Sequence, residues 1–505
     1  MSASQEKKNR SVLRSEGTDR KAKAAAEQAG KDRKFRRNAI LFVVIAVVVI
    51  AAALFINSNV LYTGTTAVKI GDVRYSPAEV SCYYKMSYNA LYNSLYSSYG
   101  ELASYILNPN TPLKDQQYSE TQSWADYLYE QTLDNMQQVT ALCREAEKNG
   151  FALSEEEQQS VEASVSQMRA YALSGGYPDL DSFLVANYGG KGMSEKVFRK
   201  VSTQMALADA YAAHVQEGFT YTGAQLEDYY SANADDLDYF NYYLYFISSS
   251  NDRYADLADD AAKLAKAHED AAELTAAADL EDFLARVREF SESDSDLTLT
   301  VVQGSGLSDD YSGWLRDSTL AEGDKTVIDT ETGSYALWFV GREDNNYPMV
   351  NMRHVLFMGA KDEDGAYTAE SLDEAELRAR DVLVQYRSDP TEEHFASLAN
   401  ELSEDEGSNT NGGLYENVIR HQMVDGVNDF LFNEGSRPGD TAVVYGENEA
   451  YQGYHAVLYV SDGELVRTKL AENALIRNDY EAYISARLAE CPVSVGSGMK
   501  LATVE

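Results

Sequence analysis

The spacing of apolar residues changes along the chain and divides it into helical and strand-like regions. From Lys69 to about Asp236, apolar side chains recur every three or four residues, which predicts amphipathic helices. A short strand from Ala67 to Ile70 and a turn at Gly71 and Asp72 open this region. The clearest helices are predicted at Trp124 to Lys148, Ser154 to Leu173, Asp179 to Tyr188 and Ser194 to His214.

One predicted helix carries a stripe of tyrosines. Tyr84, Tyr88, Tyr92, Tyr96 and Tyr99 follow one another at three- and four-residue intervals, so their rings share one helix face. Such a stripe is usually part of a core, and a groove for bound polypeptide is the alternative.

Further along, two strand-like apolar runs about a hundred residues apart each contain a histidine. His354 lies in the run 352–357 and His455 in the run 453–460. A lone strand histidine is usually a packed core residue, so the elements between the two runs matter. In order, they are Phe395, Ser403-Glu404-Asp405, a Gly412-Gly413 turn, His421-Gln422-Met423, Phe430-Leu431-Phe432 and Pro438-Gly439-Asp440.

This ordered set resembles the parvulin family of peptidyl-prolyl isomerases over about 110 residues. The resemblance implies an α+β isomerase module at 349–463, without metal or cofactor. Asp405 would stand beside the rotating carbonyl in a noncovalent mechanism, although an aspartate before a Gly/Ser/Asn loop also commonly caps a turn. The implied catalytic residues are His354, Asp405 and His455, and the implied substrate-binding residues are Met423, Val427, Phe430, Phe432, Gln422 and Ser403.

The chain departs from the family pattern in the apolar pocket. The position four residues after Met423, usually aromatic, is Val427, and His421 replaces the common glycine. Less area against a proline ring would cost about 1 kcal/mol of binding at about 25 cal/mol per Å². The sequence therefore leaves open a weak or lost activity, with Phe430 as a possible compensation.

An internal repeat is visible when residues 239–342 are aligned with 350–463. It predicts a second parvulin-like module at 237–345 that lacks the polar set and serves binding or spacing, unless the similarity is coincidental α+β patterning. The matched positions are Tyr243 with His354, Tyr335 with His455, and Ser293 with Asp405.

The amino terminus has the pattern of a membrane anchor. Residues 1–37 contain twelve Lys or Arg and five Asp or Glu, and the uncharged apolar run from Ala39 to Ile56 follows. That run is long enough to span hydrocarbon, and the basic side stays in the cytoplasm. No small-residue cleavage site or lipidation cysteine follows it. We expect a cytoplasmic tail at 1–37 and a single-pass signal anchor at 38–57 in the cytoplasmic membrane, with a large extracytoplasmic domain.

The net charge limits the classes of binding partner that we expect. The formal net charge is −38, and subtracting the tail's +7 leaves about −45 for the remainder. This argues against nucleic acid and against docking on an anionic lipid face, and it suits either basic unfolded clients or general solubility. Cys82, Cys143 and Cys491 have neither disulfide-framework nor zinc-site spacing.

The predicted fold is an α+β multidomain chain with an amino-terminal transmembrane helix, a mostly helical domain and two tandem parvulin-like modules. The helical part, 66–236 plus 464–505, resembles the amino-terminal chaperone region of the SurA and PrsA foldases. By that resemblance, a helix from about Thr468 to Cys491 and a strand from Val493 to Val504 return to it, and Tyr480, Tyr483 and Leu488 pack there.

The functional expectation is a membrane-anchored foldase. It would isomerise X-Pro bonds in unfolded or partly folded secreted polypeptides and bind them as a chaperone, held in the membrane through residues 39–56. No phosphate-binding loop, HExxH or GxSxG motif supports another chemistry. The alternatives are a noncatalytic holdase or assembly scaffold, and a sensor or structural anchor whose tail binds a partner.

Overall fold

The computed structural model describes residues 3–291, 293–448 and 450–504. Its contacts divide the chain into two compact units, Met1–Phe219 with Asp479–Glu505, and Thr220–Asn478. The first unit starts with the long helix α1 (Ala3–Asn57) and the short helix α2 (Val60–Gly64). Within α1, Lys23–Phe55 is long and apolar enough to cross a membrane, by length and composition.

The first unit is mostly helical. Serines begin three of its long helices: the side chains of Ser76, Ser123 and Ser154 each accept a hydrogen bond from the backbone amide three residues on, and an acidic side chain there returns the contact. Its elements up to Phe219 are β1 (Val68–Ile70), β2 (Val73–Tyr75), α3 (Pro77–Tyr99), α4 (Ala103–Ile106), β3 (Gln117–Ser119), β4 (Gln122–Ser123), α5 (Trp124–Lys148), α6 (Glu155–Ser174), α7 (Leu180–Asn187) and α8 (Glu195–Glu217).

The tyrosine stripe lies on α3 and is only partly a core face. Tyr84 is buried, and Tyr88 and Tyr92 pack against a cluster that includes Trp124. Tyr96 and Tyr99, at the end of the helix, are 53% and 55% exposed. The stripe therefore contributes to the core over its first half and leaves two rings at the surface.

The second unit contains two four-stranded antiparallel sheets with the same strand order. The first is β6-β5-β8-β7 and the second is β10-β9-β12-β11. The elements are α9 (Gly223–Ala232), α10 (Ala234–Leu237), β5 (Tyr239–Ser248), α11 (Asp260–Thr275), α12 (Leu280–Arg288), β6 (Thr300–Gln303), α13 (Asp309–Leu315), β7 (Lys325–Asp329), β8 (Gly333–Glu343), β9 (Pro348–Met358), α14 (Ala369–Tyr386), α15 (Glu392–Leu402), β10 (Leu414–Val418), α16 (Asp425–Phe432), β11 (Thr441–Glu447) and β12 (Gln452–Leu465).

The strand register shows which residue of the first sheet occupies the position of His354. Just before the bulge in each sheet, Tyr242 faces Phe339 and Met352 faces Tyr459, which aligns the two sheets. Two residues further on, Leu244 takes the place of His354. The match of Tyr243 with His354 was wrong by one residue, and a one-residue slip puts a side chain on the opposite sheet face. Tyr243 packs against the core beneath α11 and α12.

The last helix, α17 (Val466–Ala489), spans both units, and the chain then returns to the first. Strand β13 (Val493–Val495) pairs antiparallel with β1, Val68 opposite Val495. Tyr483 and Leu488 pack on the core of this unit. The strand is shorter than the sequence predicts, because a 3₁₀ helix (Ser497–Leu501) follows it.

Candidate functional site

Two neighbouring strands bring the histidines together. In the pairing of β9 with β12, His354 faces Val457 and His455 faces Leu356, so both imidazoles project from one sheet face, diagonally adjacent. Their Nδ1 atoms are 2.9 Å apart and their rings lie nearly parallel, with an interplanar angle of 16°. Both side chains are buried, at 3% and 1% exposure. The pair is thus a hydrogen-bonded unit with little access to water.

Asp405 closes the other end of the pair. Its Oδ2 lies 2.9 Å from His354 Nε2 and accepts hydrogen bonds from Tyr415 Oη at 3.0 Å and from Ser408 Oγ. Its Oδ1 accepts from the Gly407 amide at 3.1 Å. Four donors on one carboxylate fix its position, and its side chain is 20% exposed, more than His354.

For two neutral imidazoles, the contacts define one consistent direction for the hydrogen bonds. Asp405 can only accept as a carboxylate, so His354 donates from Nε2 and accepts at Nδ1. His455 then donates from Nδ1, and its Nε2 accepts from Tyr451 Oη at 3.0 Å. The proton positions are assigned from this network. In this hydrogen-bond network Tyr451 donates to His455, His455 donates to His354, and His354 donates to Asp405. Both imidazoles are neutral in this assignment.

The electrostatics agree with that assignment. Burial, followed by the neighbouring His354, lowers the pKa of His455 to about 3, so its ring stays neutral over the physiological range. The hydrogen bond from His354 outweighs burial at Asp405, and with the Ser408 and Tyr415 contacts it places the carboxyl pKa well below its usual range. Burial and the Asp405 charge raise the pKa of Tyr451 to about 12.

The loop after α15 positions the carboxylate. Ser403 Oγ accepts hydrogen bonds from the amides of Leu356 at 3.1 Å and Asp405 at 3.3 Å, and the Glu404 amide donates to the Leu356 carbonyl. This loop therefore occupies the place of a pairing strand beside the end of β9. Because both contacts of the Ser403 hydroxyl are backbone amides, the residue fixes the loop.

Val427 does not lie where the sequence interpretation placed it. It is 0% exposed in a core cluster with Leu431 and Val418, so it cannot contact a ligand ring. The physical reason is that Val427 lies in the first turn of α16, on the face that packs against the sheet. Met423, Phe430 and Phe432 are half-buried around this cluster, on the same sheet face as the histidines.

The segment before α16 is held by its own contacts. Gln422 is exposed, and its Oε1 accepts from the Ile419 amide at 3.0 Å, which closes a turn. His421 has a left-handed backbone, φ 63°, which explains why glycine suits this position. Its amide donates to Asn428 Oδ1, and its Nε2 lies 2.9 Å from Glu343 Oε1.

Val424 and Gly446 border the histidine pair on the apolar side. A Cβ built on Gly446 would lie 2.5 Å from Val424 Cγ2 and 2.8 Å from His455 Nε2. Only glycine leaves room for both side chains. Val424, the half-buried residue directly before α16, is thus the apolar neighbour of His455 in the region where Val427 was expected.

Three contacts of the site were absent from the sequence interpretation. Tyr451 stands four residues before His455, and side chains with an even separation share a strand face, so strand periodicity could have indicated it. Ser408 and Tyr415 contact Asp405 through a loop and an edge strand, and their spacing carries no comparable signal.

The corresponding face of the first sheet is aromatic. Tyr335, at the position of His455, faces Phe246 with ring centroids 4.6 Å apart and Tyr311 at 5.3 Å. Leu244 occupies the other histidine position. The face can pack apolar groups, but it contains no imidazole pair.

Chemically, the arrangement offers a fixed negative charge, two neutral imidazoles and a tyrosine hydroxyl beside apolar side chains. Such preorganised groups can discriminate between charge distributions of a bound molecule without forming a bond to it. Within the described residues, no group of three or more His, Cys, Asp or Glu is arranged to hold a metal ion.

Comparisons with known proteins identify the domain. Residues 337–458 match the family model of the PPIC-type peptidyl-prolyl isomerase domain, and no curated protein matches the chain. Among solved structures, peptidylprolyl isomerase PrsA from Bacillus anthracis is 17% identical over 29% of this chain and 59% of that chain, less than two thirds of its length, with a TM-score of 0.19.

Two further structures are similar at lower identity. Foldase protein PrsA from Streptococcus pneumoniae is 11% identical over 74% of this chain and 88% of that one, with a TM-score of 0.25. A SurA-like chaperone structure from Campylobacter jejuni is 12% identical over 66% and 82%, with a TM-score of 0.13. Scores this low do not establish a shared overall fold. The family match begins within β8 of the first sheet and continues through the sheet with His354, His455 and the loop of Asp405, and this matched part of the chain is a PPIC-type peptidyl-prolyl cis-trans isomerase domain of the parvulin family.

Proposed function

We propose that this chain is a membrane-anchored extracytoplasmic foldase that isomerises X-Pro bonds in unfolded or partly folded secreted polypeptides and also binds them as a chaperone. The observation that carries the catalytic part is the continuous hydrogen-bond chain from Tyr451 through His455 and His354 to Asp405. The family match of residues 337–458 supports the same activity.

The reaction requires no bond cleavage. Twisting an X-Pro amide costs its resonance, and the barrier is about 18–20 kcal/mol. The twisted nitrogen regains a lone pair while the carbonyl loses delocalisation. A site that binds this geometry more tightly than either planar form accelerates the rotation about tenfold for each 1.36 kcal/mol of preference.

We assign the roles from burial. The Asp405 side chain is 20% exposed and that of His354 is 3% exposed, so the carboxylate faces the rotating amide and acts through its charge. His354 and His455 are buried, and their hydrogen bonds hold that carboxylate in place and tune its field. Met423 and Phe432 form the apolar wall for the proline ring. No nucleophile is needed, and the mechanism is noncovalent.

Two further parts of the proposal concern the rest of the chain. The span within α1 supports membrane anchoring. The excess of Lys and Arg in residues 1–37 supports their placement in the cytoplasm, with the large domain outside. The first sheet has the topology of the second with Leu244 and Tyr335 in the histidine positions, which supports a degenerate module used for binding or spacing.

A protease-coupled proline-peptide assay on the full-length protein in detergent tests the catalytic part. The rate should fall at least tenfold in His455→Ala and in Asp405→Ala, a loss of about 1.4 kcal/mol of transition-state stabilisation or more. His394→Gln, at a half-buried histidine on α15 outside the hydrogen-bond network, is the control and should retain the rate. A wild-type protein with no detectable rate that still suppresses client aggregation would be a holdase, and the isomerase proposal would be withdrawn.

A further inference from the structure

A basic cavity of about 540 Å³ opens in the first unit next to the segment that follows α1. Arg74, Lys196 and Lys200 supply three cations, and the hydroxyls of Thr63, Thr65 and Thr66 line another wall. Glu79 is the single acidic side chain of the lining. The cavity is therefore locally positive in a chain whose formal net charge is −38.

Glu79 does not neutralise the whole cavity. Its Oε2 accepts hydrogen bonds from the amide and hydroxyl of Ser76, both at 2.7 Å, and its Oε1 contacts Lys200. That carboxylate is committed to the start of α3 and to one lysine. Arg74 and Lys196 form no ion pair within the part of the chain that the structure describes. Two positive side chains are left to receive an anion.

Covalent continuity places this cavity close to the proposed membrane surface. Helix α1 ends at Asn57, and the wall of the cavity begins six residues later at Thr63. Six residues reach at most about 20 Å when extended, and less here because α2 is helical. The polar headgroup layer on each side of a bilayer is about 5–8 Å thick. The cavity is thus held within reach of lipid phosphates.

From these observations we infer that the Arg74–Lys196–Lys200 cavity binds the phosphate of an anionic phospholipid headgroup. Guanidinium and ammonium groups are strong donors to phosphate oxygens. The hydroxyls of Thr63 and Thr65 donate to the carbonyls of Asn59 and Leu61, so the three cations are the donors that carry the inference. The net charge predicts repulsion from an anionic surface, and this cavity supplies local attraction where the chain leaves the bilayer. The inference rests on the proposed membrane anchoring and is independent of the isomerase activity.

The test uses the full-length protein in detergent micelles, with native mass spectrometry to count retained lipid. Phosphatidylglycerol should be retained about tenfold more strongly than phosphatidylcholine, and Arg74→Gln combined with Lys196→Gln should abolish the preference. The control is Lys148→Gln combined with Lys361→Gln, which removes two positive charges outside the cavity. This variant should keep the preference for phosphatidylglycerol. The basic tail is identical in every variant, so differences between variants report on the cavity.

Three results would overturn the inference. The first is an unchanged preference in the Arg74/Lys196 variant. The second is stabilisation by inorganic phosphate that depends on the cavity and that phosphatidylglycerol does not displace, which would identify free phosphate as the occupant. The third is extraction of the wild type from membranes by carbonate, which would remove the anchoring as well. The cavity variant should keep the wild-type isomerase rate on a soluble peptide, so a failure of the catalytic proposal is recognised separately.

Discussion

His354 Nδ1 lies 2.9 Å from His455 Nδ1, and one of the two nitrogens must carry the proton between them. When His354 is neutral and donates to Asp405, the proton between the rings belongs to His455, whose other nitrogen is then an acceptor for Tyr451. Four side chains from three separate chain segments therefore depend on one another for their protonation states.

Tyr451→Phe removes the only donor that the structure gives to His455 Nε2 within the described residues. An unsatisfied buried acceptor costs about 1–3 kcal/mol, and the free imidazole can change tautomer. We expect kcat/KM to fall about tenfold while the fold persists. The proline-peptide assay checks the rate and circular dichroism checks the fold. Tyr445→Phe, an exposed tyrosine on β11, is the matched control, and equal rates in the two variants would argue against the role of Tyr451.

Stability should fall on acidification through His455. Its pKa is lowered to about 3 in the folded protein, whereas the unfolded chain takes up this proton near pH 6.5. The contribution is therefore fully present above pH 6.5 and is lost as the pH falls towards 3, at about 1.4 kcal/mol per pH unit. Asp405, with its lowered pKa, adds a further loss below about pH 4.

Urea unfolding at pH 7.5 and pH 5 measures this dependence. The same comparison on His455→Gln should show a smaller difference between the two pH values, because the titrating group is absent. If His455→Gln keeps the full pH dependence of the wild-type free energy of unfolding, another residue is responsible for the titration.

Gly446→Ala should damage the site through sterics. The new methyl would press on Val424 and His455, and overpacking of this kind costs about 1–3 kcal/mol. We expect a lower thermal midpoint and loss of isomerase activity. Gly435→Ala meets nothing closer than 3.4 Å and serves as the control. Wild-type activity in Gly446→Ala would show that His455 has more freedom than its burial indicates.

Met423 and Val427 should respond differently to truncation. Val427 is fully buried, so Val427→Ala should lower the free energy of unfolding by about 2 kcal/mol and leave KM nearly unchanged. Met423 is half-buried at the edge of the cluster and belongs to the proposed proline wall, so Met423→Ala should raise KM several-fold with a smaller effect on stability. Steady-state kinetics and urea unfolding of both variants separate the two effects, and a raised KM in Val427→Ala would restore its place in the substrate pocket.

Local signals in the sequence predicted the helices and the histidine strands well. The helix Trp124–Lys148 is found with its predicted bounds, because Ser123 and Asp126 form a capping box at its start and the chain turns at Asn149 and Gly150. The histidine runs predicted strands because β-branched and aromatic residues flank both imidazoles.

Features that depend on tertiary register were not predictable in the same way. Tyr243 was placed on the wrong face because the run from Tyr242 to Phe246 contains four aromatic residues and Leu244, so the sequence does not indicate which of them takes the histidine position. Val427 was assigned to the pocket from its distance to Met423, but the start of α16 at Asp425 turns that position towards the core. Ser408 and Tyr415 reach Asp405 only through the folded loop.

The pairing of β1 with β13 has a consequence for synthesis. The two strands lie more than four hundred residues apart, so their sheet cannot form until Val493–Val495 has been synthesised. Thr220–Asn478 is one continuous segment, so all of its residues are available before that point. The isomerase domain can therefore fold first, and the unit that is synthesised first is completed last.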